Sequence, residues 1–197
     1  MTTAMTAPNE LALVPALLDR SPARARLLGK AAAALAGSWL IALCAQAQVP
    51  MWPVPATLQT FAVVLLGAAL GSRWGAVSVL LYLAQGGAGL PFFAGGGAGF
   101  AVFGGTTAGY LLAFAPGAWI VGALAERGWT RKAWTTGLAM LIGELAILAV
   151  GALWLSAIVG AREAFVAGAL VFLPWAVVKA ALAAAVLPLA WRLPGVR

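Results

Sequence analysis

The chain contains no histidine and a single cysteine, Cys44. These absences remove the common zinc ligand sets and any disulfide framework, so no metal site is expected. Charge is scarce too: 9% of residues are Asp, Glu, Lys or Arg, against about 25% in an ordinary soluble domain. Asp19 is the one aspartate. No Gly-Lys-Ser or Gly-Lys-Thr occurs, which excludes the nucleotide-binding phosphate loop built on those residues. The apolar segments hold no paired carboxylates, no histidine base and no serine beside an activating partner. No catalytic residue is assigned, no cofactor is expected, and an enzyme is disfavoured.

What remains is apolar, with 63% of the 197 residues hydrophobic. That composition makes the bilayer the solvent of an all-α integral membrane protein. The net charge of +7 could suggest nucleic acid, but such binding needs a solvated basic face, and here the basic residues end apolar segments. No nucleic-acid partner is expected. Windows of about twenty residues, the length a helix needs to cross hydrocarbon, pick out Lys30–Gln48, Thr57–Gly71, Trp74–Leu90, Thr106–Ala125, Ala133–Ile158 and Phe165–Trp191. The second and third are separated only by Gly71-Ser72-Arg73, which suits a tight helical hairpin.

Lys and Arg are enriched on the cytoplasmic side of membrane proteins. With the amino terminus inside, Arg20, Arg24, Arg26, Lys30, Arg73, Arg127, Arg131, Lys132, Arg192 and Arg197 face the cytoplasm and only Arg162 faces out. Six crossings with both termini cytoplasmic fit this bias; five would put one terminus on the wrong side. Domain organisation follows: a cytoplasmic tail over residues 1–29, a transmembrane domain over 30–192 and a short tail over 193–197. The amino-terminal tail is polar and Arg-bearing, with no short apolar stretch and small-residue cleavage site after it, so it does not read as a removable signal peptide.

The two longest non-cytoplasmic connections, Val49–Ala56 and Gly86–Gly105, carry no charge. Pro50, Pro53 and Pro55 forbid helix in the first. The second holds nine glycines together with Leu90, Pro91, Phe92, Phe93, Phe100 and Phe103. Irregular backbone near a membrane is tolerated where it is buried in protein or lines a cavity, so this Gly-rich outer loop is expected to fold over the bundle as a lid. A flexible low-complexity linker is the alternative for Gly95–Gly99.

Ionisable groups inside spans are costly unless paired or wet, which singles out Glu144 and Lys179. Lys179, midway along the last predicted span, suits an anionic ligand group; equally, it can pair with Glu144 between helices, and both can hold in turn. Thr57, Gln59 and Thr60, then Tyr82 and Gln85, then Thr106, Thr107 and Tyr110 fall at one predicted depth. Such a polar ring, with an ammonium below and aromatics above, has the makeup of a small-molecule site, although interhelical hydrogen bonding explains any one of these residues alone. On the first span Ala32 and Ala36, or Ala33 and Gly37, stand four apart, a spacing that lets helices pack closely. That face serves either the monomer or a partner.

Val49-Pro50 with Val54–Thr60, then Tyr82–Gly95, then Gly104–Leu111, and last Phe172-Leu-Pro174 with Lys179, occur in this order across nearly all the chain after residue 30. Together they resemble the BioY family, the biotin-specific S components (substrate-binding subunits) of energy-coupling factor (ECF) transporters. The resemblance implies high-affinity biotin uptake at a bacterial cytoplasmic (inner) membrane. It implies an outward-facing pocket capped by the first and third loops, a last-helix lysine near the vitamin's polar end, and as partners a transmembrane T component and two ATP-binding-cassette ATPases. On this reading Thr57, Gln59, Tyr82, Gln85, Phe92, Phe93, Tyr110, Glu144 and Lys179 form the site, and Ala32 and Ala36 the docking face. The chain departs from the family pattern at Ala176, where an acidic residue stands three before the lysine, and at Gly104-Gly-Thr-Thr-Ala-Gly-Tyr110 in place of Gly-Pro-Thr-Gly-Gly-Tyr. Glu144 is a candidate substitute for the missing carboxylate. Ala176 keeps open an S component for another vitamin, such as thiamine or riboflavin; a membrane-embedded enzyme using Glu144 and Lys179, and a structural membrane subunit, are the readings from other classes.

Overall fold

The computed structural model describes residues 12–18 and 22–191. Arg20, Arg192 and Arg197 lie outside the described residues, as do residues 1–11 and 19–21 of the predicted amino-terminal tail and all of the carboxy-terminal one. The elements run α1 (Leu13–Leu18), α2 (Ala23–Gln46), β1 (Gln48–Val49), β2 (Ala56–Thr57), α3 (Gln59–Gly87), α4 (Ala108–Glu126), α5 (Ala133–Val159), α6 (Ala161–Gly168) and α7 (Leu173–Ala190). Five stretches among the described residues are long and apolar enough to cross a membrane: α2, α3, α4, α5 and the α6–α7 segment Ala161–Ala190.

The packing is that of a multi-pass membrane protein, with large apolar side chains outside and polar ones inside. Trp39, Leu43, Leu153, Trp175 and Val186 are exposed, whereas Ser38, Gln59, Thr136 and Glu144 are buried. In lipid this arrangement keeps these polar groups away from hydrocarbon.

α3 is two helices in one. At Gly71 the backbone takes φ 83° and ψ 175°, in the left-handed region that L side chains avoid, and the chain reverses. A Cβ added at Gly75 would come within 2.7 Å of the Gly67 Cα, although eight residues of straight helix would separate these positions by about 12 Å. At the far end of the hairpin Gln59 Nε2 donates to the Tyr82 hydroxyl. The second arm begins at Ser72, whose backbone N–H and hydroxyl both donate to Glu126 Oε1, at 2.8 and 2.9 Å. A carboxylate at a helix start satisfies an orphan N–H and meets the positive end of the dipole; here it also pins α4 to the hairpin.

The last apolar stretch differs from the single span Phe165–Trp191 expected from the sequence. It breaks at Ala169 and a 3-10 turn over Leu170–Phe172 before α7 begins at Leu173. Pro174 favours the break, because it has no N–H to give the Leu170 carbonyl and that loss costs least in a first helical turn; Pro116 and Pro188 lie inside α4 and α7, so proline alone does not force it. Lys179 consequently sits on the second turn of α7 rather than midway along a long helix.

The Gly-rich connection between α3 and α4 packs back onto the helices. Phe92 and Phe93 are buried; Phe93 meets Tyr82 edge-on at 5.5 Å between ring centroids and Phe103 at 5.6 Å. Trp39 meets Phe92 edge-on at 5.2 Å. The Gly99 N–H donates to the Gly86 carbonyl at 2.8 Å. The first connection joins it through Thr106 Oγ1, which donates to the Pro53 carbonyl at 2.8 Å.

Candidate functional site

Beneath these two connections lies a cavity of about 300 Å³, at the small end of ligand sites, which run from about 300 to 1,000 Å³. Its walls come from every layer. Val54, Pro55 and Thr57 close one side; Phe93, Ala94, Gly97 and Val102 contribute from the Gly-rich segment; Tyr110, Leu111 and Phe114 from α4; Leu148 from α5; and Phe172 from the helix break. Gln59, Thr60, Glu144 and Lys179 supply polar groups.

The floor carries an ion pair. Lys179 Nζ donates to Glu144 Oε2 at 3.1 Å and to Thr60 Oγ1. Glu144 Oε1 lies 3.0 Å from the same nitrogen but out of line for a hydrogen bond, and is buried with no other partner. Glu144 is 2% and Lys179 11% exposed by side chain, so both charges are largely cut off from solvent. Buried pairs of this kind gain less from attraction than desolvation costs unless further hydrogen bonds complete them. Both carboxylate oxygens lie against the one ammonium, Oε1 through charge and Oε2 through a hydrogen bond. Ala176, one turn before Lys179, is buried and is not part of the cavity wall; the carboxylate beside the lysine comes from α5.

Of the residues singled out from sequence, Thr57, Gln59, Phe93, Tyr110, Glu144 and Lys179 meet at this cavity. Tyr82, Phe92 and Gln85 do not line it. Tyr82 stands behind Gln59 and holds its amide, while Thr57 Oγ1 donates to Gln59 Oε1 at 3.2 Å, so the Gln59 side chain is oriented at both ends. Phe92 packs between Trp39 and Tyr82. Gln85 turns the other way, its Nε2 donating to Ser38 Oγ on α2 at 3.1 Å; three residues of helix rotate it off the Tyr82 direction by about 60°. The Tyr110 hydroxyl is committed to the Gly168 carbonyl at 2.6 Å, which leaves the ring as its contribution. Thr60 and Thr107 line the cavity though the sequence-derived site omitted them; their place in the polar ring was the available signal. Ala32 and Ala36 are exposed on α2, whereas Ala34, Gly37, Ser38 and Ile41 are buried.

The BioY family model matches residues 17–195. The chain belongs to the BioY family. Among curated relatives, a probable biotin transporter of Pyrococcus horikoshii is 40% identical over 144 residues, 73% of this chain and 85% of that protein. A biotin transporter of Rhizobium etli is 39% identical over 141 residues, 67% of this chain and 75% of the relative. Among solved structures, the S component for biotin from an ECF-type ABC transporter superposes with a TM-score of 0.78 at 25% identity, covering 89% of this chain and 97% of that one. These relatives are transport proteins by name, as the absence of a catalytic constellation in the sequence led one to expect.

Proposed function

We propose that the chain binds biotin and mediates its uptake as the substrate-specific subunit of an ECF-type transporter in the bacterial cytoplasmic membrane. The observation that carries this is the largely apolar cavity with a buried Lys179–Glu144 pair on its floor, in a chain whose relatives are named as biotin transporters. Six crossings with cytoplasmic termini are supported by the reversal at Gly71, which turns α3 into two arms, and by the distribution of Lys and Arg. The Gly-rich connection acts as the lid.

The pair also bears on how the vitamin lies. An anionic group, which Lys179 alone would favour, meets Glu144 as a like charge. A neutral group with acceptor and donor side by side suits the pair better. In biotin that is the ureido ring, its carbonyl toward Lys179 and an N–H toward the Glu144 carboxylate, so that Glu144 stands in for the carboxylate missing at Ala176. The test is equilibrium binding of radiolabelled biotin to the purified chain with competitors. Biotin methyl ester should compete nearly as well as biotin, and diaminobiotin, whose ureido ring is opened, should not; thiamine and riboflavin should fail. Displacement by thiamine or riboflavin but not biotin would reassign the vitamin, and loss of competition by the ester would reverse the orientation.

With no phosphate-binding loop in the chain, inward release is driven by partners: a transmembrane T component and two ATP-binding-cassette ATPases. The exposed Ala32 and Ala36 form the docking face on α2, where small side chains allow close helix approach. Ala32→Leu with Ala36→Leu should abolish co-purification with the partner subunits while biotin binding by the isolated chain is kept. An intact complex in that variant would move the docking face elsewhere.

A further inference from the structure

Gln46, the last residue of α2, lies outside the cavity wall, yet its amide grips the turn that forms part of that wall. Its Nε2 lies 3.2 Å from the Phe93 carbonyl, 3.4 Å from that of Pro91 and 3.5 Å from that of Phe92. Its Oε1 accepts from the Gly96 N–H at 3.1 Å. The turn itself is closed by the Phe93 N–H on the Gly97 carbonyl at 3.0 Å and the Gly96 N–H on the Phe93 carbonyl at 3.1 Å. It delivers Phe93, Ala94 and Gly97 to the cavity.

We propose that Gln46 is a positioning residue that latches the Phe93–Gly97 turn over the cavity and so sets the rate at which ligand enters and leaves. The proposal rests on the cavity being the ligand site. A primary amide donates and accepts at once from a flexible stem; glutamate offers only acceptors, lysine only donors, methionine neither in strength. Both polarities are used. The turn needs the restraint because Gly95 and Gly96 have positive φ, 66° and 76°, and glycine samples many other conformations when nothing holds it. The burial of Phe93 and the Gly99–Gly86 hydrogen bond secure the rest of the segment, so releasing Gln46 loosens the turn without unfolding the loop.

The test uses the full chain in lipid nanodiscs, comparing wild type, Gln46→Met and Gln46→Glu. Amide hydrogen exchange of the ligand-free protein should speed up about tenfold over residues 93–97 in Gln46→Met, the loss of roughly one net hydrogen bond, with α4 and α5 unchanged. Gln46→Glu should behave alike, because its carboxylate faces four carbonyl oxygens, those of Pro91, Phe92 and Phe93 and that of Ala42 at 3.3 Å on its own helix. Association and dissociation rates of radiolabelled biotin should both rise by a similar factor, with Kd moving far less than either. Unchanged exchange in the turn, unchanged rates, or acceleration throughout the chain with a lower melting temperature would each overturn the latch. Because exchange needs no ligand, a wild type that fails to bind biotin refutes the ligand assignment separately, while exchange still reports on the turn.

Discussion

Lys179→Ala should weaken biotin binding by one to two orders of magnitude and at the same time destabilise the protein. On the proposed pose Lys179 donates to the ureido carbonyl, and a hydrogen bond to a charged group contributes roughly 1.5–3 kcal/mol, about a 10- to 150-fold loss of affinity. The same substitution strands Glu144, 2% exposed by side chain, without its counter-ion, which costs about 3–5 kcal/mol of stability in buried pairs. The two losses separate in a double variant. Glu144→Leu with Lys179→Met removes both charges, and replacing a whole buried pair by apolar groups is often neutral, so thermal stability should return while binding does not. Glu144→Gln should retain the fold and weaken binding, since its amide keeps one acceptor but brings N–H groups toward the lysine. Near-normal binding by Lys179→Ala would remove the cavity as the biotin site. A double variant no more stable than Lys179→Ala would show that the stranded charge is not what destabilises it.

Gly122→Val should yield no folded protein, the largest effect expected from any site distant from the cavity. A Cβ at Gly122 would fall 2.3 Å from the Ser72 backbone nitrogen and 2.4 Å from its Cα. Overpacking usually costs about 1–3 kcal/mol because side chains yield, but the obstacle here is backbone, held by the Gly71 reversal and by the Ser72–Glu126 hydrogen bonds. The hairpin and α4 would have to separate. Gly104→Ala is the control: its Cβ meets nothing within 4 Å, and its melting temperature in detergent should match wild type. A folded Gly122→Val protein with wild-type melting would refute the close packing of α3 on α4.

Much of this was legible before any coordinates, for identifiable reasons. The apolar runs mark helices because a bilayer demands long uninterrupted hydrophobic stretches, and Gly71 between two of them marks the reversal because few other residues adopt its backbone angles. Glu144 and Lys179 stood out because charge in such runs is rare. The break before α7 does not register in hydropathy, which is insensitive to a missing N–H. Tyr82 and Gln85 share a depth, and depth does not say which neighbour each side chain meets when the two lie about 60° apart around the helix. Gln46 and its partner Gly96 are 50 positions apart, and nothing local in either announces the contact; a glutamine ending an apolar helix reads as an ordinary interfacial residue.

The hairpin has a consequence for the bilayer itself. From Gln59 to the reversal at Gly71 the first arm rises only about 18 Å at 1.5 Å per residue, well short of a hydrocarbon core about 30 Å thick. On the proposed topology the bilayer meets the shortfall by thinning locally beside this arm, and the uncharged connections lie at the headgroup level with exposed Trp52 and Phe100 toward the lipid. Ligand exchange should then depend on hydrophobic mismatch: a thicker membrane presses the connections toward hydrocarbon and slows exchange, and a thinner one eases it.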